Sequence, residues 1–238
     1  MKSYIDELDR NIFNFVEYEG YDDRYPSLSM QAFSSDFYDE IRHASRRLFQ
    51  IFCKAAKVFQ MAPDDFARNM DMPDNLIPYL HKSNALGLPT WLSRFDFVLD
   101  VNGNLRMVEL NADTPCFLIE SYYANEVAAN YVGRKHPNIE CRNELHTFLK
   151  RMYDAVLSAK YGRNQYESMR ANRESLPKNP FVFSCFHDYF EDYGTTQFLM
   201  RELKTACPEA DTRFISFYDM KIDDEGIPLE DGSHATLL

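Results

Sequence analysis

The stretch RFDFVLDVNGNLRMVELNADTP, residues 94–115, alternates polar and apolar residues as a β-hairpin does. Asn102 and Gly103 are a strong turn signal, because both residue types accept the positive φ of a type I′ turn. Centring the hairpin on this pair places Asp96 opposite Glu109. A four-residue loop over 101–104 would keep this register, whereas a bulged loop with an odd offset would shift it by one residue.

The same register gives the predicted hairpin one apolar face, which would pack on the core. Its opposed residues are Phe95 with Leu110, Phe97 with Val108, and Leu99 near Arg106.

The other face gathers polar side chains, namely Arg94, Asp96, Glu109 and Asn111. A solvated outer face is one interpretation, although directly opposed like charges cost about 0.2–1 kcal/mol. A divalent cation between the carboxylates is the other interpretation. Mg²⁺ takes one or two carboxylates and completes its shell with phosphate oxygens and water. The fork-shaped guanidinium of Arg94 could hold a phosphate or carboxylate beside it, so this face predicts part of a phosphoryl-transfer site.

The composition is that of a folded globular protein, with 45% hydrophobic and 26% charged residues in 238. The formal charge of -11 disfavours non-specific attraction to nucleic acid or to an anionic membrane. The five cysteines form no CxxC pair, which favours reduced thiols and a cytoplasmic location. No apolar run has the length of a signal peptide core or a membrane span, so we expect a soluble protein that is not exported.

Apolar residues recur every three or four positions over 34–60, which predicts one long amphipathic helix closed by Pro63. A shorter helix is expected over 73–85. Two more are expected over 113–132 and 142–162, and the polar stretch 163–180 resembles a linker or a helix end.

Three segments near the carboxyl end predict strand, helix and strand: 181–187, 195–208 and 212–220. This is a βαβ unit with a parallel strand pair. The predicted fold class is therefore mixed α/β (α+β), with residues 1–175 holding the helices and the hairpin and 176–238 the βαβ unit. The final residues enter an apolar strand and stop, so we expect a portion of a longer protein; an end tucked into a sheet edge is the alternative.

Residues 91–122, with RFDF, the acidic-Gly turn, VELNADTP and IES, resemble the glutathionylspermidine synthase family of ATP-grasp ligases. The resemblance implies an ATP-grasp fold that holds Mg-ATP and phosphorylates a substrate carboxylate, after which an amine attacks the acyl phosphate to form an amide. Arg94 matches the arginine that stabilises the acyl phosphate. Asp96, Glu109 and Asn111 match the magnesium ligands, so all four would contact the Mg-ATP cofactor.

The resemblance also implies substrate contacts. Thr114 and Cys116 fall where the synthase has serines that contact the peptide substrate. Cys116 departs from that serine, and a thiol is a weaker hydrogen-bond partner, which puts glutathione itself in doubt; a small buried residue is the alternative role. Glu120 matches a glutamate of the same run, with a structural role as the alternative. Glu191 and Asp192 fall near the family's amine site, although a charge pair at a helix N-terminus explains them equally well.

The function expected from this resemblance is an ATP- and Mg²⁺-dependent ligase that joins a peptide or amino-acid carboxylate to an amine or polyamine. The alternative is a non-catalytic nucleotide- or peptide-binding module on the same scaffold. A magnesium phosphohydrolase would need a water-activating group that the sequence does not offer. No amidase is expected, and the family's nucleotide-binding lysines lie downstream of the matched region, so part of the ATP site should be missing from these residues. The oligomeric state stays open.

Overall fold

The computed structural model of the protein describes residues 3–17, 24–27, 29–86, 92–112, 116–172 and 180–236. By contacts, the chain divides into two compact units. We call Met30–Pro115 the hairpin unit, and Met1–Ser29 together with Cys116–Leu238 the core unit. The predicted division into 1–175 and 176–238 is a different one and stays a prediction. The contacts place the βαβ segment in the same unit as the helices that precede it.

The hairpin unit begins with the long helix α1, Ser35–Gln60, whose first turn is capped by the Ser34 hydroxyl accepting from the Phe37 amide at 3.2 Å. This helix confirms the prediction over 34–60. The remaining elements of the unit are α2 (Asp64–Asn69), a 3₁₀ turn (Asp74–Leu76), α3 (Ile77–Leu86), β1 (Arg94–Leu99) and β2 (Leu105–Asn111).

Helix α1 packs on one face of the hairpin. The rings of Phe52 and Phe95 lie 5.9 Å apart, which places Phe95 on the inner face of the hairpin as its pattern predicted. The contact is only partly enclosed, because none of the residues of α1 is buried.

The helices of the core unit differ in two places from the sequence prediction. The helix expected over 113–132 is a π-helix at Ile119–Ala124, followed by α4 at Asn125–Tyr131. The segment read as a linker or helix end contains the helix α6, Arg163–Ala171, in which Tyr166 is buried. Between them lies α5, Ile139–Tyr161, as expected.

The βαβ prediction is confirmed. Strand β3 (Pro180–Phe183) pairs in parallel with β4 (Asp211–Phe214), and α7 (Phe190–Ala206) connects them. Thr236 forms a further parallel bridge to Phe181 of β3. The largest fully buried side chains of this unit include Phe13, Leu157, Phe181 and Phe198.

An ionic cluster around the buried side chain of Glu202 joins α4, α5 and α7. The Arg142 guanidinium donates to both carboxylate oxygens of Glu202, at 2.9 and 3.1 Å, and to Glu126 at 2.8 Å. His146 Nε2 lies 2.6 Å from Glu202, whose side chain is 4% exposed. Burial disfavours the charged carboxylate, but hydrogen bonds and charges from Arg142 and His146 outweigh it, so the pKa of Glu202 lies below its ordinary value.

Two further observations bear on the predicted environment. All five cysteines are free of disulfides. Within the described ranges, no helix combines the length and the apolar character needed to cross a membrane.

Candidate functional site

The hairpin register is confirmed at the end that carries the polar residues. Arg94 pairs with Asn111, Asp96 with Glu109, and Phe95 with Leu110. Nearer the loop the prediction is wrong by one residue. Phe97 pairs with Met107 instead of Val108, and Leu99 pairs with Leu105 instead of lying near Arg106.

The loop explains the error. Asn102 does not have positive φ, so the type I′ turn is absent, and Gly103 alone takes the left-handed conformation at φ 80°. The Asp100 amide donates to the Asn104 carbonyl, and the Gly103 amide donates to the Asp100 carbonyl, both at 2.9 Å, as in a three-residue hairpin loop. This loop shifts the register by one, and a bulge that makes Val108 the extra residue shifts it back before Glu109.

The polar face is held together by Arg94. Its Nε and Nη2 donate to the two oxygens of Asp96 at 2.7 and 2.9 Å, and Nη2 lies 3.8 Å from Glu109 Oε1. Asn111 Nδ2 donates to the same Glu109 oxygen at 2.7 Å. The hydrogen bonds from Arg94 hold the pKa of Asp96 below its usual range. A guanidinium therefore balances the opposed carboxylates, and their pairing does not by itself require a metal.

The donor chemistry of this face nevertheless fits Mg²⁺. Asp96 and Glu109 offer carboxylate oxygens, and Asn111 offers an amide oxygen, all hard donors. No group of three or more His, Cys, Asp or Glu side chains in the described part of the chain could hold a metal ion. The hairpin set has two carboxylates, so Mg²⁺ here would depend on phosphate and water for the rest of its shell.

Two of the predicted substrate residues meet in the core unit. Cys116 Sγ lies 3.9 Å from Asp192 Oδ1, and Asp192 stands with Glu191 in the first turn of α7. Glu120 lies in the π-helix, where its Oε1 accepts a hydrogen bond from the Tyr25 hydroxyl at 3.0 Å. Thr114 falls outside the described residues.

The comparison with known families decides the relationship. A family model for the pre-ATP-grasp region of glutathionylspermidine synthase matches residues 4–236. The chain belongs to the glutathionylspermidine synthase family. A comparison with curated protein sequences finds no significant match.

The family match spans both the polar face of the hairpin and the βαβ unit, so the resemblance at residues 91–122 extends over nearly the whole chain. Membership of the glutathionylspermidine synthase family gives this mixed α/β chain a ligase-related scaffold. Sequence reasoning missed Tyr25, the partner of Glu120, because the two residues are 95 positions apart and no periodic pattern links them.

Proposed function

We propose that the protein is an ATP- and Mg²⁺-dependent carboxylate–amine ligase that forms an amide through an acyl phosphate. One observation carries the proposal: Arg94, Asp96, Glu109 and Asn111 meet on one face of the hairpin. These residue types can bind a metal and a phosphate together, and phosphoryl transfer needs little more than positioning and charge stabilisation from the protein.

In this proposal, Asp96, Glu109 and Asn111 hold Mg²⁺ through their oxygens. Mg-ATP supplies the phosphoryl group that activates the substrate carboxylate. The Arg94 guanidinium donates two hydrogen bonds to Asp96. With ATP bound, some of its N–H groups would donate to phosphate oxygens instead and stabilise their negative charge. Its moderate exposure, 28% of the side chain, leaves room for a ligand to reach it.

The substrates proposed are a peptide or amino-acid carboxylate and an amine or polyamine, with glutathione and spermidine as the first pair to test. Thr114 and Cys116 would contact the acid, and Glu191 and Asp192 the amine. The short distance between Cys116 and Asp192 supports adjacent acid and amine positions. Because a thiol replaces a hydroxyl at 116, a different peptide is a strong competitor for glutathione.

A second candidate is a non-catalytic module that binds a nucleotide or peptide on the same scaffold. One contact favours it: Arg94 donates a hydrogen bond to each carboxylate oxygen of Asp96. If the hairpin never bound a metal, its carboxylates would need such a partner within the protein. The two candidates differ in turnover.

The test measures ADP release by the intact natural protein with ATP, Mg²⁺ and a panel of peptides and amines that begins with glutathione and spermidine. Arg94→Lys keeps the charge but loses the two-pronged fork, so we expect turnover to fall about 10²- to 10³-fold. Arg106→Lys is the matched control. Arg106 binds Asp100 on the same hairpin, at 3.0 and 3.1 Å, at the end away from the site, and turnover should be unchanged.

Equal turnover in wild type and Arg94→Lys would remove Arg94 from the reaction. Mg-ATP binding without ADP release across the whole panel would favour the binding module. Glu109→Gln separates the remaining roles, because loss of a metal ligand should raise the Mg²⁺ concentration needed for half-maximal turnover, whereas a purely structural glutamate should leave it unchanged.

A further inference from the structure

Helix α1 of the hairpin unit carries a continuous stripe of apolar residues over 37–58. Their spacing alternates between four and three residues, as in the seam of a coiled coil. The members of the stripe are Phe37, Ile41, Ala44, Leu48, Ile51, Ala55 and Val58. We call the last three residues the ridge. The ridge is open to solvent, with exposed fractions of 52% for Ile51 and 69% for Val58.

The adjacent face of α1 is the one that packs within the unit. The ring of Phe52 lies 5.9 Å from that of Phe95 in β1, and the ring of Phe59 lies 5.9 Å from that of Phe66 in α2. Phe52 and Phe59 each follow a ridge residue by one position, a rotation of about 100° around the helix. The ridge therefore points away from these contacts. A row of exposed apolar residues, unlike a single one, marks an interaction surface.

The N-terminal half of α1 borders a groove of about 760 Å³ against the inner face of the hairpin. Leu48, Phe97 and Met107 are among the apolar residues that line the groove. Its acidic lining residues belong to the first two turns of the helix, and they are Asp36, Asp39 and Glu40. Arg106 also lines the groove, but Asp100 binds and neutralises it. The groove can therefore accept apolar side chains that have positive charges beside them.

Three exposed charged residues flank the stripe at intervals of seven: Glu40, Arg47 and Lys54. Within the described part of the chain, none of the three forms an ion pair. In two antiparallel copies of α1 that cross near Arg47, Glu40 of each copy lies beside Lys54 of the other. In a parallel pair Glu40 would lie level with Glu40 and Lys54 level with Lys54. The charges therefore match a second copy of this chain in the antiparallel orientation.

The geometry points to a symmetric homodimer in which the ridge of each copy lies in the groove of the other. Lys54 and Lys57 beside the ridge then meet the acidic lining of the groove. A two-fold axis repeats each of these contacts, so one self-complementary surface supplies both halves of the interface. Arg47 lies near the axis beside its own copy, and this contact opposes association in part. Arg94 lies on the outer face of the hairpin, away from the groove, and stays open to ligands.

The test is sedimentation velocity of the 238-residue chain over about 1–200 µM, since association depends on concentration. We expect the mass to rise from 28.0 kDa towards twice that value. Lys54→Glu and Glu40→Lys each place like charges across the interface twice, so each should raise the dimer Kd about 10-fold or more. Ile51→Ser, at an exposed position, should also raise it.

The double variant Glu40→Lys/Lys54→Glu should return the Kd to near the wild-type value. The two positions are about 21 Å apart along one helix, so only pairing between copies can produce this rescue. Arg46→Glu is the matched control. It reverses the same charge at an exposed position on the side of α1 away from the stripe, and should leave the Kd unchanged.

Three results would overturn the dimer. The first is a monomer at every concentration, including the case in which another segment or partner covers the stripe. The second is association that Lys54→Glu and Ile51→Ser leave unchanged, because the contact would then lie elsewhere. The third is failure of the double variant to recover. Arg94→Lys should dimerise as the wild type does, so loss of ADP release and loss of the dimer are separate outcomes.

Discussion

Two arginine–carboxylate pairs, one in each unit, have nearly the same geometry and different surroundings. Arg142 grips Glu202 at 2.9 and 3.1 Å, and Arg94 grips Asp96 at 2.7 and 2.9 Å. The Glu202 side chain is 4% exposed, whereas that of Asp96 is 35% exposed. A buried charge cannot lose its partner cheaply, but a half-exposed one can exchange it for water or a ligand. Burial therefore makes the first pair structural and leaves the second available for binding.

The two units also differ in how many apolar side chains they bury. Among the described residues, the buried apolar side chains of the hairpin unit are Ala67 and Ile77 alone, and the others belong to the core unit. The hairpin unit thus supports its polar face with half-exposed aromatic contacts such as Phe52 on Phe95.

The largest expected effect is that of Arg142→Met. It leaves the buried Glu202 carboxylate without its strongest partner, so the free energy of unfolding should fall by about 3–5 kcal/mol. Urea unfolding measures the change, with Arg151→Met, an exposed position on the same helix, as the control near zero. A loss below about 1 kcal/mol would contradict the conclusion that the Arg142–Glu202 pair is structural.

The second effect is on the pH dependence of stability. The pKa of Glu202 is lower in the folded chain than its ordinary 4.5, so its contribution is present above pH 4.5 and is lost as the pH falls through the folded value. Wild-type unfolding free energy should therefore drop more steeply below pH 4.5 than that of Glu202→Gln. Asp96→Asn should keep nearly the wild-type slope, because Asp96 is screened by solvent although its pKa is also lowered. Parallel curves for Glu202→Gln and wild type would contradict the assignment.

The smallest effect is expected for Arg94→Met. Loss of a half-exposed pair should cost less than about 1 kcal/mol in the same urea assay. A cost equal to that of Arg142→Met would show that the hairpin pair is structural, and would weaken its proposed role in phosphate binding.

Local patterns were enough to predict several of the elements, although not the helix α6 or the π-helix. The apolar spacing over 34–60 predicted α1, the alternation around Asn102 and Gly103 predicted the hairpin, and the segments after 180 predicted the parallel pair. The pairing of Asp96 with Glu109 also came from the sequence. It survived an error near the loop because the bulge at Val108 cancels the offset of the loop.

The tertiary structure alone decided the rest. The bulge in β2 and the π-helix each insert one extra residue into a regular element, and no sequence pattern indicates it. The regular and irregular backbones are close in energy, so packing and hydrogen bonding decide which one forms. The contacts of Tyr25 with Glu120 and of Arg142 with Glu202 join residues 95 and 60 positions apart. Periodicity reports which side of an element is apolar, but only the packing of distant elements determines which polar groups meet there and how much water reaches them.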